Sequence, residues 1–165
     1  MLIELEIDRG CCIMEIAIIA HDKKKELMAQ FCIAYYNILI NHNLCATAIT
    51  GKYISDATGL TIEKMLMGDY GGEQQMASRI SYNEIDCLLY FRDTSSGESY
   101  DEDAINILRL CDVHNIPVAT NIATAEILIC AVERGDLNWR NYVNPIYNKN
   151  RENKENREKN VKNHN

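Results

Sequence analysis

Short apolar runs alternate with segments of helical periodicity along most of this chain, and this alternation constrains its fold more than any other feature. The runs are typical of strands buried on both faces, as in a parallel sheet, and the segments between them carry apolar residues at the spacing of one helix face. The expected strands cover residues 16–20, 44–49, 62–67, 85–91 and 116–120. The expected helices cover residues 24–40, 51–58, 72–82, 101–114 and 123–134. This order predicts an α/β fold, a single-domain wound and mainly parallel sheet with helices on both faces.

The composition changes sharply near residue 148. Residues 148–165 are almost entirely Asn, Lys, Glu and Arg, and such a segment buries too little apolar area to offset the entropy of ordering. We therefore expect a disordered charged tail over 148–165, a folded domain over 14–147 and an N-terminal extension over 1–13.

The charge balance argues against a nucleic-acid partner. The net charge is −7 at pH 7, and the basic tail leaves the rest of the chain more acidic still, whereas nucleic-acid binding requires a basic surface. No apolar run reaches the roughly 18 residues of a membrane span, and the acidic amino terminus is unlike a signal peptide. We expect no nucleic-acid and no membrane partner, and a cytoplasmic location.

The seven cysteines and four histidines predict neither a disulfide framework nor a metal site. The cysteine number is odd, no C-x-x-C pair occurs, and most cysteines lie inside apolar stretches. They are expected to be reduced thiols of the core. The histidines are scattered along the chain, whereas zinc sites use closely spaced ligands.

Polar and charged residues collect where the expected strands end. Ligands of open α/β sheets bind beyond the carboxyl ends of the strands, so these side chains are expected at one edge. Each has an ordinary explanation as a turn residue, helix cap or solvated charge, and the hypothesis of a site depends on their convergence. Threonine hydroxyls, glycine-loop amides and a lysine suit a phosphate, and nearby carboxylates suit proton transfer at carbon. The residues concerned are His21, Asp22, Lys25, Thr47, Thr50, Gly68, Glu73 and Asp93.

At these residues the chain resembles the methylglyoxal synthase family. The resemblance covers about residues 16–145 and is carried by IAIIAHDKKKELM, ATAITGKYISDATGL, GGEQQ, NEIDCLLYFRD, LRLCDVHNIPVATNIATAE and ERGDLNW. It implies conversion of dihydroxyacetone phosphate to methylglyoxal and inorganic phosphate through an enediolate, without a metal or organic cofactor. It also implies a homohexamer that is regulated by phosphate.

The resemblance also implies roles for individual positions. Glu73 corresponds to the catalytic base, His21 to a group that orients the substrate carbonyl, and Asp103 to a support for proton transfer. Binding of the substrate and its phosphate is implied for His21, Asp22, Lys25, Thr47, Thr50, Gly68 and Asp93. The chain departs from the family pattern with Met67 in place of a serine, Glu73 in place of an aspartate and Tyr100 in place of a histidine.

These departures leave two functions to compare. One is a methylglyoxal synthase, with full or reduced activity. The other is a catalytically impaired relative that binds a small phosphorylated ligand. The retained pocket residues favour the enzyme, and the three substitutions favour the binding domain. The sequence also leaves open whether a late residue such as Arg140 reaches the site of a neighbouring subunit.

Overall fold

A five-stranded sheet forms the centre of the molecule in the computed structural model, which describes residues 12–67, 70–95 and 102–146. The strands are β1 (Glu15–Ala20), β2 (Asn43–Ala46), β3 (Glu63–Lys64), β4 (Cys87–Phe91) and β5 (Val118–Ala119). The helices are α1 (Lys25–Ala34), α2 (Tyr36–Leu39), α3 (Ala48–Thr58), α4 (Gly72–Ser81), α5 (Glu102–His114) and α6 (Ile122–Glu133). The strand order is β3-β2-β1-β4-β5, and every pairing is parallel.

Strand β1 is buried on both faces and joins the two halves of the core. Ile16 and Ile18 pack in one apolar cluster, and Ala17 and Ile19 pack in another, because side chains alternate across a strand. The first cluster draws on α1, α3 and α6 through Met28, Phe31, Ile54, Ala125 and Ile129. The second draws on α4 and α5 through Met76, Ile80, Ala104 and Ile107. The predicted fold class, a wound parallel sheet with helices on both faces, is confirmed.

The register of the sheet brings the carboxyl ends of its strands to one edge. Ala20, the last residue of β1, pairs with Phe91, the last residue of β4. Ala46, the last residue of β2, pairs with Ile18 on the other side of β1. The residues that follow these three strands therefore leave the sheet side by side.

The second predicted strand is too long at its carboxyl end. We expected a strand to residue 49, but β2 ends at Ala46 and α3 begins at Ala48. Thr47 occupies the N-cap position with extended backbone angles (φ −60°, ψ 148°), and threonine is among the residues favoured there. Thr50 consequently lies in the first turn of α3.

The third predicted strand, over 62–67, is reduced to two residues. The Met65 N–H still donates to the Ala46 carbonyl (2.8 Å). At Leu66, however, the N–H donates to Gln75 Oε1 (2.7 Å), and the carbonyl accepts from the Ala48 N–H (3.3 Å). These bonds to residues of α3 and α4 replace the strand ladder, so the strand ends before Leu66.

The first predicted helix, over 24–40, is divided into three pieces. A 3-10 turn covers Asp22–Lys24, and α1 is separated from α2 at Tyr35. The Tyr35 backbone (φ −106°, ψ 23°) lies outside the α-helical region, and its ring packs on Phe31 with centroids 4.8 Å apart. The predicted helices over 72–82, 101–114 and 123–134 agree with α4, α5 and α6 to within one residue at each end.

Some expectations fall on residues that the structure does not describe. The charged tail over 148–165 lies outside the described residues, as does the N-terminal extension up to residue 11, so the domain boundaries stay predictions. Within the described part of the chain, no helix is long and apolar enough to cross a membrane. The six cysteines there are free thiols, and burial raises the pKa of Cys32 to about 12.

A buried ion pair holds the last described segment against the amino ends of the strands. Arg140 Nε lies 3.4 Å from Asp86 Oδ1, and both side chains are fully buried. Arg140 Nη2 also donates to Asn83 Oδ1 (2.6 Å) and the Ile85 carbonyl (2.7 Å), while Asp86 Oδ2 accepts from the Glu15 N–H (2.8 Å). Arg140 is therefore committed to the core of its own chain.

Candidate active site

The Ala20 carbonyl at the end of β1 joins two of the predicted site residues directly and a third indirectly. It accepts hydrogen bonds from Thr50 Oγ1 (3.4 Å) and Lys25 Nζ (3.2 Å). Thr47 Oγ1 donates in turn to Thr50 Oγ1 (3.2 Å), and both threonines are buried. The structure thus brings Lys25, Thr47 and Thr50 together where β1 ends and α3 begins.

Asp22 belongs to the same group through an ion pair with Lys25. The hydrogen bond and charge of Lys25 hold the pKa of Asp22 below its usual value. The Lys25 side chain is 13% exposed and that of Asp22 is 94% exposed. The ammonium is therefore fixed in the wall of the site, whereas the carboxylate faces solvent and can yield to a ligand anion.

Residues at the end of β4 hold both the backbone and the ring of His21. Its N–H donates to the Phe91 carbonyl (3.1 Å), and its Nδ1 accepts from the Asp93 N–H (3.0 Å). Nε2 lies 3.4 Å from the Tyr90 hydroxyl, and the two rings meet edge to face. Because Nδ1 is an acceptor here, a neutral imidazole carries its proton on Nε2.

The Asp93 carboxylate faces residues of its own loop and the first turn after β1. Asp93 Oδ1 accepts from the Ser95 N–H (3.0 Å) and the Ser95 hydroxyl (2.6 Å), and Oδ2 lies 3.2 Å from Lys23 Nζ. The bonds from Ser95, followed by that from Lys23, hold the pKa of Asp93 far below its usual value. The structure therefore places Asp93 beside His21 through its backbone, with an ionised side chain that already has partners.

Leu66 connects the start of α3 to the start of α4. Its carbonyl accepts from the Ala48 N–H (3.3 Å), and a Cβ added to Gly72 would lie only 2.0 Å from that same carbonyl oxygen. A side chain at Gly72 is thereby excluded, since no real contact is so short. Leu66 therefore holds Gly72, the first residue of α4, close to the first turn of α3.

The first turns of the helices give the edge two chemically different sides. The first turn of α3 contains no acidic residue, whereas that of α4 contains Glu73 and that of α5 contains Glu102 and Asp103. Gln74 Nε2 donates to Asp103 Oδ2 (2.9 Å) and ties the starts of α4 and α5 together. Donors therefore gather near α3, where the helix dipole favours an anion, and carboxylates gather near α4 and α5.

Sequence reasoning missed Tyr90 and Gln74. Tyr90 is fully buried in β4, and its contact with His21 depends on the pairing of β4 with β1. A tyrosine within an otherwise apolar buried run is a usable signal, because a buried phenol hydroxyl needs a polar partner. Gly68, predicted as a phosphate-binding residue, lies outside the described residues.

A cavity of about 460 Å³ lies at the opposite edge of the sheet. Glu15, Asn43 and Glu63, which line it, are the first residues of β1, β2 and β3. Arg79 in its wall pairs with Glu15 (3.4 Å) and Glu63 (3.0 Å). None of the predicted site residues lines this cavity, and no described group of three or more His, Cys, Asp or Glu residues could hold a metal ion.

Known proteins share sequence with most of this chain. The sequence model of the MGS-like domain family matches residues 28–120. The methylglyoxal synthase of Caldicellulosiruptor saccharolyticus is 56% identical over 138 residues, which cover 84% of this chain and 98% of that protein. The methylglyoxal synthase of Alkaliphilus metalliredigens is 51% identical over 130 residues, covering 79% of this chain and 97% of that protein.

A solved structure extends the similarity to the fold. The crystal structure of methylglyoxal synthase from Elizabethkingia anophelis NUHP1 superposes with a TM-score of 0.67 at 35% sequence identity, covering 71% of this chain and 77% of that chain. The family match spans more than half of the sequence, and the first of the two relatives is more than half identical over nearly its whole length. The chain belongs to the methylglyoxal synthase family.

Proposed function

We propose that this protein is a methylglyoxal synthase, a lyase that converts dihydroxyacetone phosphate to methylglyoxal and inorganic phosphate. One observation carries the proposal: the carboxyl edge of the sheet has donors near the start of α3 and carboxylates at the starts of α4 and α5. A phosphorylated ketose needs both, since its phosphate requires donors and its carbon requires a base. The relatives named methylglyoxal synthase support the same reaction.

The phosphate of the substrate is assigned to the α3 side. The hydroxyls of Thr47 and Thr50 bond to each other and to the Ala20 carbonyl, and a hydroxyl can rotate to donate to an incoming phosphate. Lys25 supplies a charge that is already fixed beside them. Thr47 does not cap α3 with its side chain, so the first amides of that helix can also face the anion.

The chemical step is assigned to the carboxylate side. Glu73 takes a proton from the hydroxymethyl carbon, the C–H electron pair becomes the double bond of an enediolate, and the carbonyl oxygen gains the negative charge. The proton of the neighbouring hydroxyl then moves to this oxygen, the electron pair left behind forms the aldehyde carbonyl, and the double bond shifts to the methylene carbon as the carbon–oxygen bond to phosphate breaks. The enol that remains takes up a proton at its methylene carbon and loses its hydroxyl proton to give methylglyoxal. His21 Nε2–H orients the carbonyl, and Asp103, held by Gln74, supports the proton transfers.

One assay tests the reaction and the base together. The purified protein is incubated with dihydroxyacetone phosphate, and methylglyoxal and phosphate are measured in parallel. We expect equal amounts of both products, loss of activity in Glu73→Gln, and unchanged activity in Glu133→Gln, which alters an exposed carboxylate at the end of α6. Absence of product with the wild-type protein contradicts the function, and a fully active Glu73→Gln variant places the base elsewhere.

A domain that binds a small phosphorylated ligand is the second candidate. The exposed Met67, which follows β3 and precedes α4, favours it, because a thioether cannot donate to phosphate as the serine expected from the family resemblance does. Tight binding of dihydroxyacetone phosphate without turnover would identify this function. The assay above therefore separates the two candidates.

We also propose a homo-oligomer, a hexamer by the family resemblance, in which inorganic phosphate acts as a regulator. Exposed apolar side chains near the start of α3 favour burial between subunits, and they belong to Ile49, Tyr53, Leu66, Met67 and Tyr70. Light scattering after gel filtration measures the assembly, and a monomer at micromolar concentration contradicts it. Phosphate added to the assay is expected to lower the rate.

A further inference from the structure

Arg92, which directly follows β4, has no ionic partner in the part of the chain that the structure describes. Residues 12–67, 70–95 and 102–146 contain five arginines, and four of them donate hydrogen bonds to side chains, namely Arg79, Arg109, Arg134 and Arg140. Arg92 makes no hydrogen bond or ion pair with the described residues, and its Nε is buried without an acceptor. The enclosed Nε leaves no room for a ligand, so an oxygen atom placed against this guanidinium would be bound by its two terminal nitrogens, which are not buried.

His21 fixes the backbone on both sides of Arg92. The Phe91 carbonyl accepts from the His21 N–H (3.1 Å), and the Asp93 N–H donates to His21 Nδ1 (3.0 Å). The backbone of Arg92 therefore has a set position relative to the imidazole. Leu88 and Tyr90 of β4 pack on the α4 and α5 side, and continued alternation directs Arg92 to the same side, where the Tyr90 hydroxyl contacts His21.

The carboxylates around Arg92 create a need for a cation at this edge of the sheet. Lys25 is paired with Asp22 and Lys23 with Asp93, while the first turns of α4 and α5 add further carboxylates. These carboxylates repel negative charge that develops on a substrate near them. A guanidinium that pairs with no described carboxylate offsets that repulsion where the reaction generates charge.

We propose that Arg92 binds the substrate carbonyl oxygen as it becomes the enediolate oxygen, with a terminal N–H of its guanidinium donating beside the Nε2–H of His21. This inference deepens the proposed function and rests on it. As the C–H bond breaks, its electron pair forms the carbon–carbon double bond, the carbonyl π pair moves to oxygen, and the proton moves to Glu73. Donors fixed in advance stabilise that oxygen more in the transition state than in the bound ketone, so Arg92 acts on kcat more than on KM.

The test compares Arg92→Met with the control Arg109→Met, which removes an exposed arginine from α5. For Arg92→Met we expect kcat to fall about a hundredfold or more, with the KM for dihydroxyacetone phosphate within about threefold of wild type. Calorimetry is expected to show an affinity for 2-phosphoglycolate, whose carboxylate imitates the enediolate oxygens, at least about tenfold weaker. Affinity for inorganic phosphate is expected to stay unchanged, and Arg109→Met is expected to match wild type throughout.

An unchanged kcat in folded Arg92→Met overturns the inference. A higher KM and weaker phosphate affinity at unchanged kcat also overturn it, since they place Arg92 at the phosphoryl group. If the wild-type protein forms no methylglyoxal, the proposed function fails separately, and phosphoglycolate affinity still decides the role of Arg92, because equal affinity in both proteins overturns it. Should Arg92→Met not fold, Arg92→Lys retains a cation but lacks the planar guanidinium and its terminal N–H groups. We expect it to lose at least about tenfold in kcat, and a wild-type kcat overturns the inference.

Discussion

The Asp93 backbone N–H donates to Nδ1 of His21 over 3.0 Å, and this bond decides which imidazole nitrogen can serve a substrate. With Nδ1 as the acceptor, the proton of a neutral ring is on Nε2. Nε2 faces the Tyr90 hydroxyl at 3.4 Å, a long contact that a substrate oxygen can replace as the acceptor of the N–H. The end of β4 therefore sets the chemistry of the residue that follows β1.

Replacing His21 by Asn separates the functions of the two ring nitrogens. The Asn Oδ1 can stand in for Nδ1 and accept from the Asp93 N–H, but nothing replaces Nε2–H. We expect His21→Asn to keep the free energy of unfolding within about 1 kcal/mol of wild type and to lower kcat about a hundredfold, as measured by urea unfolding and steady-state kinetics.

The matched variant is His21→Gln. Its longer amide reaches nearer to the position of Nε2 and leaves the Asp93 N–H without its acceptor. We expect His21→Gln to be less stable than His21→Asn and more active. The opposite order of stability and activity would contradict the tautomer assigned to His21.

Removing only the hydroxyl of Tyr90 tests its contact with His21. Tyr90 is fully buried, so Tyr90→Phe preserves the ring and its packing while His21 Nε2 loses one polar neighbour. We expect kcat to fall about two- to tenfold, the equivalent of one modest hydrogen bond, at unchanged KM. Tyr82→Phe, which alters an exposed tyrosine, is the control. An unchanged kcat in Tyr90→Phe would leave this contact without a role in the reaction.

The fold class could be predicted because a strand that is buried on both faces has a continuous apolar run in its sequence. The run IAIIA has no polar position to turn toward water, and the structure buries it on both faces between two sets of helices. The start of α3 could not be predicted. Thr47, Ile49 and Thr50 are residues that also suit strands, and the change to helix at Ala48 depends on its bond to Leu66, a tertiary contact.

The candidate site, too, could be predicted only in part from the sequence. The residue types at the ends of β1, β2 and β4 are visible in sequence, so the chemistry of the edge could be proposed. The contacts between elements could not, because Gln74 with Asp103 and Tyr90 with His21 depend on register and helix placement. The separation of donors near α3 from carboxylates near α4 and α5 depends on the positions of three helix starts. No local sequence pattern predicts it.

The length of the Glu73 side chain is open to a direct test. Glutamate is one methylene longer than the aspartate expected from the family resemblance, and a displacement of about 1 Å can change a rate about a hundredfold. We expect Glu73→Asp to raise kcat, by up to about that factor, with the KM for dihydroxyacetone phosphate unchanged. Glu133→Asp provides the control. If kcat stays the same or falls in Glu73→Asp, Glu73 is not a base held out of position by its length.

His42 gives the fold a pH dependence of predictable sign. Its Nδ1 accepts from the Met14 N–H (3.1 Å), and burial lowers its pKa below 6.5. The unfolded chain therefore takes up a proton at a higher pH than the folded one, so stability is full above pH 6.5 and falls as the pH drops toward the lower folded pKa. We expect the free energy of unfolding to decrease between pH 7 and pH 5 with a slope of at most about 1.4 kcal/mol per pH unit from this residue.

The variant His42→Asn isolates that contribution. Its Oδ1 can still accept from the Met14 N–H, but it does not titrate. Urea unfolding at pH 7.5 and pH 5.5 should show a smaller loss of stability in His42→Asn than in wild type. Equal losses in the two proteins would assign the pH dependence to other groups.

Loss of the ion pair between Arg140 and Asp86 is expected to lower stability without changing catalysis. Both side chains are fully buried, and they lie at the amino ends of β1 and β4, at the opposite edge from His21. Arg140→Met leaves the Asp86 carboxylate buried without its cation, and we expect a loss of about 3–5 kcal/mol in unfolding free energy. The double variant Asp86→Asn, Arg140→Met is expected to lose less unfolding free energy than the two single variants summed.

Under conditions where Arg140→Met is folded, its kcat and KM should equal those of wild type, because the guanidinium is enclosed in its own chain. A lowered kcat in the folded Arg140→Met protein would instead place Arg140 in the active site of a neighbouring subunit.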